Sequence, residues 1–111
     1  MNAQEIFDQV VGHLRKQKVR AINRQTLACA YRDPEGRKCA VGCLISDDDY
    51  ALNMEGRTVY ELINMFDSMR KYRPYSSLLN ELQVVHDKTF PYLWESCLRE
   101  IATLYQLEYK P

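Results

Sequence analysis

The sequence predicts an α+β fold in which one β-hairpin packs against three to four helices. Two observations support this fold class. Apolar residues recur at three- and four-residue steps in several segments, and an Asp-Pro-Glu-Gly turn joins two short apolar runs. The chain has 111 residues, of which 46% are hydrophobic, and this is enough to bury one core without disulfides or metal. Residues 1–111 are therefore expected to form a single compact domain.

The first helix is predicted over residues 3–17, where apolar residues recur at helical spacing and charged residues fall mostly between them. Asn2 precedes this run and is the predicted N-cap. Lys16 and Lys18 lie where cations stabilise the C-terminal end of a helix dipole. A polar connector over residues 18–26 follows.

A β-hairpin is predicted over residues 27–44, around the turn at residues 33–36. Proline at the second turn position and glycine at the fourth favour a type I turn closed by a left-handed glycine. If Asp33 lies opposite Arg37, strand alternation places six residues on one face: Leu27, Cys29, Tyr31, Cys39, Val41 and Cys43. Gly42 also allows a short helix after Lys38 in place of the second strand.

Three more helices are predicted in the second half of the chain. Thr58 followed by Glu61 forms a capping box, which starts a helix over residues 59–71. The next helix is predicted over residues 76–87. Pro91 suits the first turn of a last helix, which is expected to continue to about residue 107.

The 15 basic and 15 acidic residues balance, so direct binding of nucleic acid is not expected. The N-terminus lacks a leader pattern, and no segment approaches the ~20 apolar residues of a membrane span. A cytoplasmic protein without membrane contact is therefore expected. Its four cysteines are then expected to be reduced and buried.

Zinc is the chemical alternative that the cysteines raise. Cys39 and Cys43 have the spacing of a structural zinc pair, and Cys29 is predicted on the same face. His86 or Cys97 would have to supply the fourth ligand. Because a typical structural site has two close pairs and this sequence has one, buried free thiols and no cofactor are expected.

The candidate partner-binding residues lie in two segments. Residues 69–75 interrupt a helix and mix arginine with tyrosine, both of which are favoured at binding hot spots. The candidates in this segment, which is expected to be exposed, are Arg70, Lys71, Tyr72, Arg73 and Tyr75. The hairpin tip supplies three more: Asp33, Glu35 and Arg37.

Several motifs resemble those of a family of small proteins encoded by phages and prophages. They are CAYRDPEGRKCAVGCLISDDDY, then MEGRTV, and finally LNELQVVHD. The family pattern is a Cys-x-Tyr-Arg-x-Pro-x-Gly-x-x-Cys-Ala-x-Gly stretch with a later Leu-Gln-x-x-His-Asp helix, and the resemblance covers roughly residues 4–105. The position of Cys43 is often a small residue there, which weakens the zinc alternative.

The resemblance implies an accessory protein, not an enzyme, that binds and modulates a host protein in the bacterial cytoplasm. An anti-CRISPR or other anti-defence inhibitor that acts by occlusion is one such protein.

Two alternatives from other functional classes stay open. His86-Asp87 resembles the adjacent ligands of the helical metal-dependent phosphohydrolases, with His13 as the earlier histidine, although no aspartate follows Asp87 as the last ligand. A zinc-stabilised module on Cys29, Cys39, Cys43 and His86 belongs to the same alternative. The other is a homo-oligomeric structural protein that pairs through the apolar stripe of the last helix.

Overall fold

The structure of the protein, a computed structural model, describes residues 1–111 as an all-α fold. It contains four α-helices: α1 (Ala3–Gln17), α2 (Val59–Met65), α3 (Ser76–Lys88) and α4 (Trp94–Leu104). Four 3₁₀ segments accompany them: Gly42–Leu44, Leu52–Met54, Asp67–Tyr75 and Pro91–Leu93. One continuous buried cluster takes residues from all four helices and from the segment between α1 and α2.

The starts of α1 and α2 follow local capping rules, as predicted. The Asn2 side chain accepts the Glu5 amide and the Glu5 carboxylate accepts the Asn2 amide, each at 2.9 Å. Thr58 and Glu61 form the same reciprocal pair. Each box satisfies amides that a helix start leaves without partners. The bounds of α1 and the start of α2 are therefore confirmed.

The ends of the later helices differ from the prediction. α2 ends at Met65 because Phe66 adopts an extended backbone, and a 3₁₀ helix that contains Pro74 follows it. α4 begins at Trp94, after a 3₁₀ turn that carries Pro91. α3 contacts both α2 and α4.

The predicted β-hairpin is absent, so the α+β assignment is wrong. The turn itself forms: the Asp33 amide donates to the Arg37 carbonyl at 2.8 Å, and Gly36 has a φ of 86°. Between the two arms, bridge pairing stops at Arg32 and Lys38. The other isolated bridge joins Cys29 of the first arm to Ile22, which lies outside the predicted hairpin.

Pairing of the two arms does not extend further from the turn because backbone groups of the first arm have other partners. The amides of Tyr31 and Arg32 each donate to the Glu55 carboxylate at 3.0 Å. After Cys39 the chain forms a helical turn and diverges from the first arm. Gly42 allows this path, because a Cβ atom there would lie 2.0 Å from the Tyr31 carbonyl oxygen.

Candidate functional site

Three side chains that could hold a metal or a substrate meet where α3 contacts the segment between α1 and α2. Their ligand-capable atoms, from Cys29, His86 and Asp87, all lie within 4.8 Å of one another. The last turn of α3 supplies His86 and Asp87. Cys29 enters from the bridge to Ile22. His86 is fully buried, whereas the other two are half-buried.

Both ring nitrogens of His86 are already used within the chain. The Ala21 backbone N–H donates to Nε2 at 3.0 Å, so Nε2 carries no proton. The proton therefore lies on Nδ1, which donates to the Asp87 carboxylate at 2.7 Å. The ring also stacks on Trp94. A metal could bind this histidine only if one of these hydrogen bonds broke.

Asp87 is the acceptor at the centre of this cluster. Burial opposes its ionisation, but hydrogen bonds from His86 and Gln83 outweigh that effect and lower the pKa of Asp87. Gln83 donates to the Asp87 carboxylate at 2.9 Å and accepts the Val41 amide at 3.0 Å. A charged carboxylate is therefore connected through Gln83 to the backbone at Val41.

Cys29 is a protonated thiol in this setting. Burial, followed by the charge of Asp87, raises the pKa of Cys29 to about 11. A nucleophilic or metal-bound cysteine needs the thiolate, which this environment disfavours. The cluster is therefore suited to holding the chain together and not to catalysis. We call it the His86 network; its members are Ala21, Cys29, Val41, Gln83, His86 and Asp87.

The structure does not assemble the zinc set of the sequence analysis. Cys39 and Cys43 are not part of the cluster that contains Cys29 and His86. Burial raises the pKa of both thiols, that of Cys43 to about 12. The Cys43 thiol donates to the Ala40 carbonyl at 3.1 Å. These four residues do not fit a closed thiolate site.

His13 does not join the cluster either. Its Nε2 lies 2.7 Å from the Lys38 carbonyl oxygen, and burial lowers the pKa of the ring. A neutral ring that donates from Nε2 satisfies this carbonyl. The histidine pair of the hydrolase alternative is thus not brought together with Asp87.

The 3₁₀ helix Asp67–Tyr75 exposes only part of the predicted contact segment. Arg70, Lys71 and Arg73 are exposed, and Tyr75 is half-buried. Tyr72 is 3% exposed and Met69 is 1% exposed, so the prediction that the whole segment is exposed is wrong for these two residues. Residues three apart share one face of a 3₁₀ helix, and Met69 and Tyr72 take the inward one.

The turn at residues 33–37 is also only partly at the surface. Asp33 is 4% exposed, and its carboxylate accepts the amides of Glu35 and Arg37 at 2.9 Å and the Arg37 Nε–H at 2.7 Å. These bonds fix the turn and leave Asp33 inaccessible to a partner. Glu35 is exposed, and Arg37 is partly exposed.

An exposed aromatic patch at the entry to α4 was missed by the sequence reasoning. Its members, with their exposed fractions, are Val19 (45%), Phe90 (59%), Tyr92 (80%) and Leu93 (41%). The Phe90 and Tyr92 rings stack with centroids 5.7 Å apart. The available signal was the run Phe-Pro-Tyr-Leu before α4, because its proline favours a helix start that leaves these residues outside the regular inward stripe.

The aromatic patch borders an open groove of about 620 Å³. The groove lies between the C-terminal end of α1 and the start of α4. Its buried residues are Leu14, Trp94 and Leu98, and its remaining lining residues are Arg15, Lys18, Val19, Phe90, Pro91, Tyr92 and Glu95. This volume falls in the usual range of ligand-binding clefts.

The groove carries positive charge that no carboxylate neutralises. Glu95, its one acidic residue, is paired with Arg15 and accepts the Tyr109 hydroxyl, and these bonds lower the pKa of Glu95. Lys18 at the rim has no carboxylate within 4 Å. Arg20 also lacks one; its guanidinium lies over the Phe90 ring and donates to two backbone carbonyls.

Comparisons with known proteins found no matching family model, no matching curated protein and no matching solved structure. The resemblance to phage and prophage proteins therefore stays a prediction, and the phage and anti-CRISPR assignments gain no support. Among the helices, none combines the length and the apolar composition that a membrane crossing needs.

Proposed function

We propose that the protein is a non-catalytic binding protein that covers a surface of a partner protein through the aromatic patch. The observation that carries this proposal is the exposure of Phe90 and Tyr92, which stack on each other beside an open groove. Contiguous exposed apolar groups mark interaction sites, and aromatic residues contribute many binding hot spots. Tyrosine suits such a surface because its hydroxyl keeps contact with water.

The His86 network supports a binding role over a chemical one. Two residues look most like catalytic groups. Cys29 is a protonated thiol beside Asp87, and His86 is hydrogen-bonded through both ring nitrogens. A general base needs a free nitrogen within reach of a substrate proton. His86 has none, because its Nε2 accepts the Ala21 amide.

The resemblance noted in the sequence implies a bacterial host protein in the cytoplasm as the partner, and occlusion of its surface as the mode of action. Occlusion requires only a stable, complementary contact surface. The aromatic patch and its groove offer such a surface on one side of the fold.

Capture experiments with two double variants test the proposal. The wild type, Phe90→Ala/Tyr92→Ala and Arg70→Ala/Arg73→Ala are immobilised and exposed to the same lysate, and a captured protein is then purified and titrated against all three. Loss of both aromatic residues should weaken binding about thirtyfold or more, as hot-spot truncation does. The Arg70/Arg73 variant should bind normally, and circular dichroism checks that both variants fold.

The opposite pattern would assign the contact to the exposed side of Asp67–Tyr75, as the sequence suggested. A partner that binds all three proteins equally would contradict the proposed aromatic surface.

A further inference from the structure

We infer that the groove beside the aromatic patch takes an acidic segment of the partner protein that inserts an apolar side chain. This inference rests on the proposed function and names the chemistry of the segment that is bound. It follows from two independent properties of the groove, a positive charge that no carboxylate pairs and an apolar floor.

The positive charge comes from Lys18, which lines the groove, and from Arg20, which lies beside it against Phe90. Lys18 lies at its rim and has no acidic neighbour, and Arg20 contacts the Phe90 ring while its donors point to carbonyls. Glu95 adds no free negative charge because Arg15 holds it through two N–H groups. Complementary charge on a partner steers association and disfavours basic segments.

The apolar part of the groove favours an occupant that also carries an apolar side chain. Leu14, Trp94 and Leu98 form a buried floor, while Val19 and Phe90 stand exposed at its sides. Covering such surface stabilises a complex by about 25 cal/mol per Å² of apolar area. A leucine or aromatic side chain between acidic residues would therefore satisfy both parts of the groove.

Single-stranded nucleic acid is the other polyanion with flat apolar groups, and the structure favours it less. Bases bind to aromatic rings whose faces are free. The Phe90 ring already contacts Tyr92 and Arg20, and two of the three floor residues are leucines. The chain as a whole has no net positive charge.

Selection from a library of short random peptides tests the inference. Peptides are selected on the wild type after removal of those that bind Phe90→Ala/Tyr92→Ala. Synthetic versions are then titrated while the emission of Trp94, the one tryptophan in the chain, is followed. Because Trp94 lines the groove, occupancy should change its emission.

The selected peptides should be enriched in aspartate and glutamate beside leucine or aromatic residues. Their affinity should fall about threefold or more in Lys18→Glu and should fall with added salt, as expected for a charge at the rim. Lys71→Glu, the same charge change on an exposed residue of Asp67–Tyr75, should leave it unchanged.

Peptides that need Phe90 and Tyr92 but are not acidic would overturn the inference and leave the proposed function standing. Peptides that bind Lys18→Glu and Lys71→Glu as well as the wild type would also overturn it. If no peptide is enriched, or if an oligothymidylate competes with the peptides and loses binding in Tyr92→Ala, the inference fails. If the removal step against Phe90→Ala/Tyr92→Ala takes out every peptide that binds the wild-type groove, the proposed function is contradicted as well.

Discussion

Replacement of Gly42 by alanine tests the close backbone crossing that takes the place of the predicted hairpin. A Cβ atom at Gly42 would lie 2.0 Å from the Tyr31 carbonyl oxygen and 2.8 Å from its carbonyl carbon. Both atoms belong to the backbone, so no side-chain rotation relieves the overlap. One of the two segments has to move by more than an ångström.

The surroundings of Tyr31 set the cost of that movement. Its amide donates to Glu55 at 3.0 Å, its hydroxyl donates to the Arg57 carbonyl at 2.6 Å, and its carbonyl accepts the Cys39 amide at 3.3 Å. Overpacking costs about 1–3 kcal/mol and each lost hydrogen bond about 1 kcal/mol. With overpacking and the loss of about two of these three bonds, Gly42→Ala should lower the free energy of unfolding by about 3–5 kcal/mol.

Urea unfolding followed by Trp94 emission measures this loss. With a slope of about 2 kcal/mol per molar urea, the midpoint should fall by about 2 M. Gly12→Ala is the matched control: Gly12 is exposed within α1, and a Cβ atom there meets nothing within 4 Å. That variant should gain about 0.5–1 kcal/mol.

A Gly42→Ala variant within about 1 kcal/mol of the wild type would contradict the close crossing, because so small a loss lies below the usual cost of overpacking. It would mean that residues 31 and 42 separate easily. An unstable Gly12→Ala variant would instead show that the assay reports glycine replacement in general.

Three further predictions concern the polar contacts. Asp87→Asn should lower the free energy of unfolding by about 1–3 kcal/mol at neutral pH. Because folding lowers the pKa of Asp87, this loss should shrink as the pH falls below 3.8, the pKa of the free side chain. A loss that does not depend on pH would contradict the network. Glu55→Gln should lower the free energy of unfolding by about 2–3 kcal/mol, because the new side-chain NH₂ would face a backbone N–H. The control Glu35→Gln, at an exposed residue, should change it by less than about 0.5 kcal/mol in the same urea titration. Cys29 and Cys39 should react with a disulfide reagent at neutral pH at least about tenfold more slowly than in the urea-unfolded chain, because burial raises the pKa of both thiols.

The features that the sequence predicted correctly depend on residues a few positions apart. The capping box of Thr58 and Glu61 closes within one helical turn, and the turn at Asp33 needs only the proline and glycine that follow. The hairpin prediction was wrong because two amides of the first arm donate to Glu55, which lies more than twenty residues further along the chain. Alternation within the arms carries no information about such a distant competitor.

The candidate site shows the same division. His86 and Asp87 were recognised as a chemically unusual pair, but their role depends on the Ala21 amide, which the sequence cannot place beside them. Tyr72 was expected at the surface because the spacing of a 3₁₀ helix was not anticipated. Only the fold shows that Phe90 and Tyr92 are exposed and stack on each other.

The His86 network has a consequence for motion in the irregular part of the chain. The amides of Ala21 and Val41 lie outside the four α-helices, yet they donate to His86 and Gln83 of α3. Neither amide can open to solvent unless it separates from that helix. Both should therefore exchange hydrogen with water about as slowly as amides in the helical core, since such exchange requires sub-global or global opening. A segment with no regular structure of its own thus takes its rigidity from helical residues more than forty positions further along the chain.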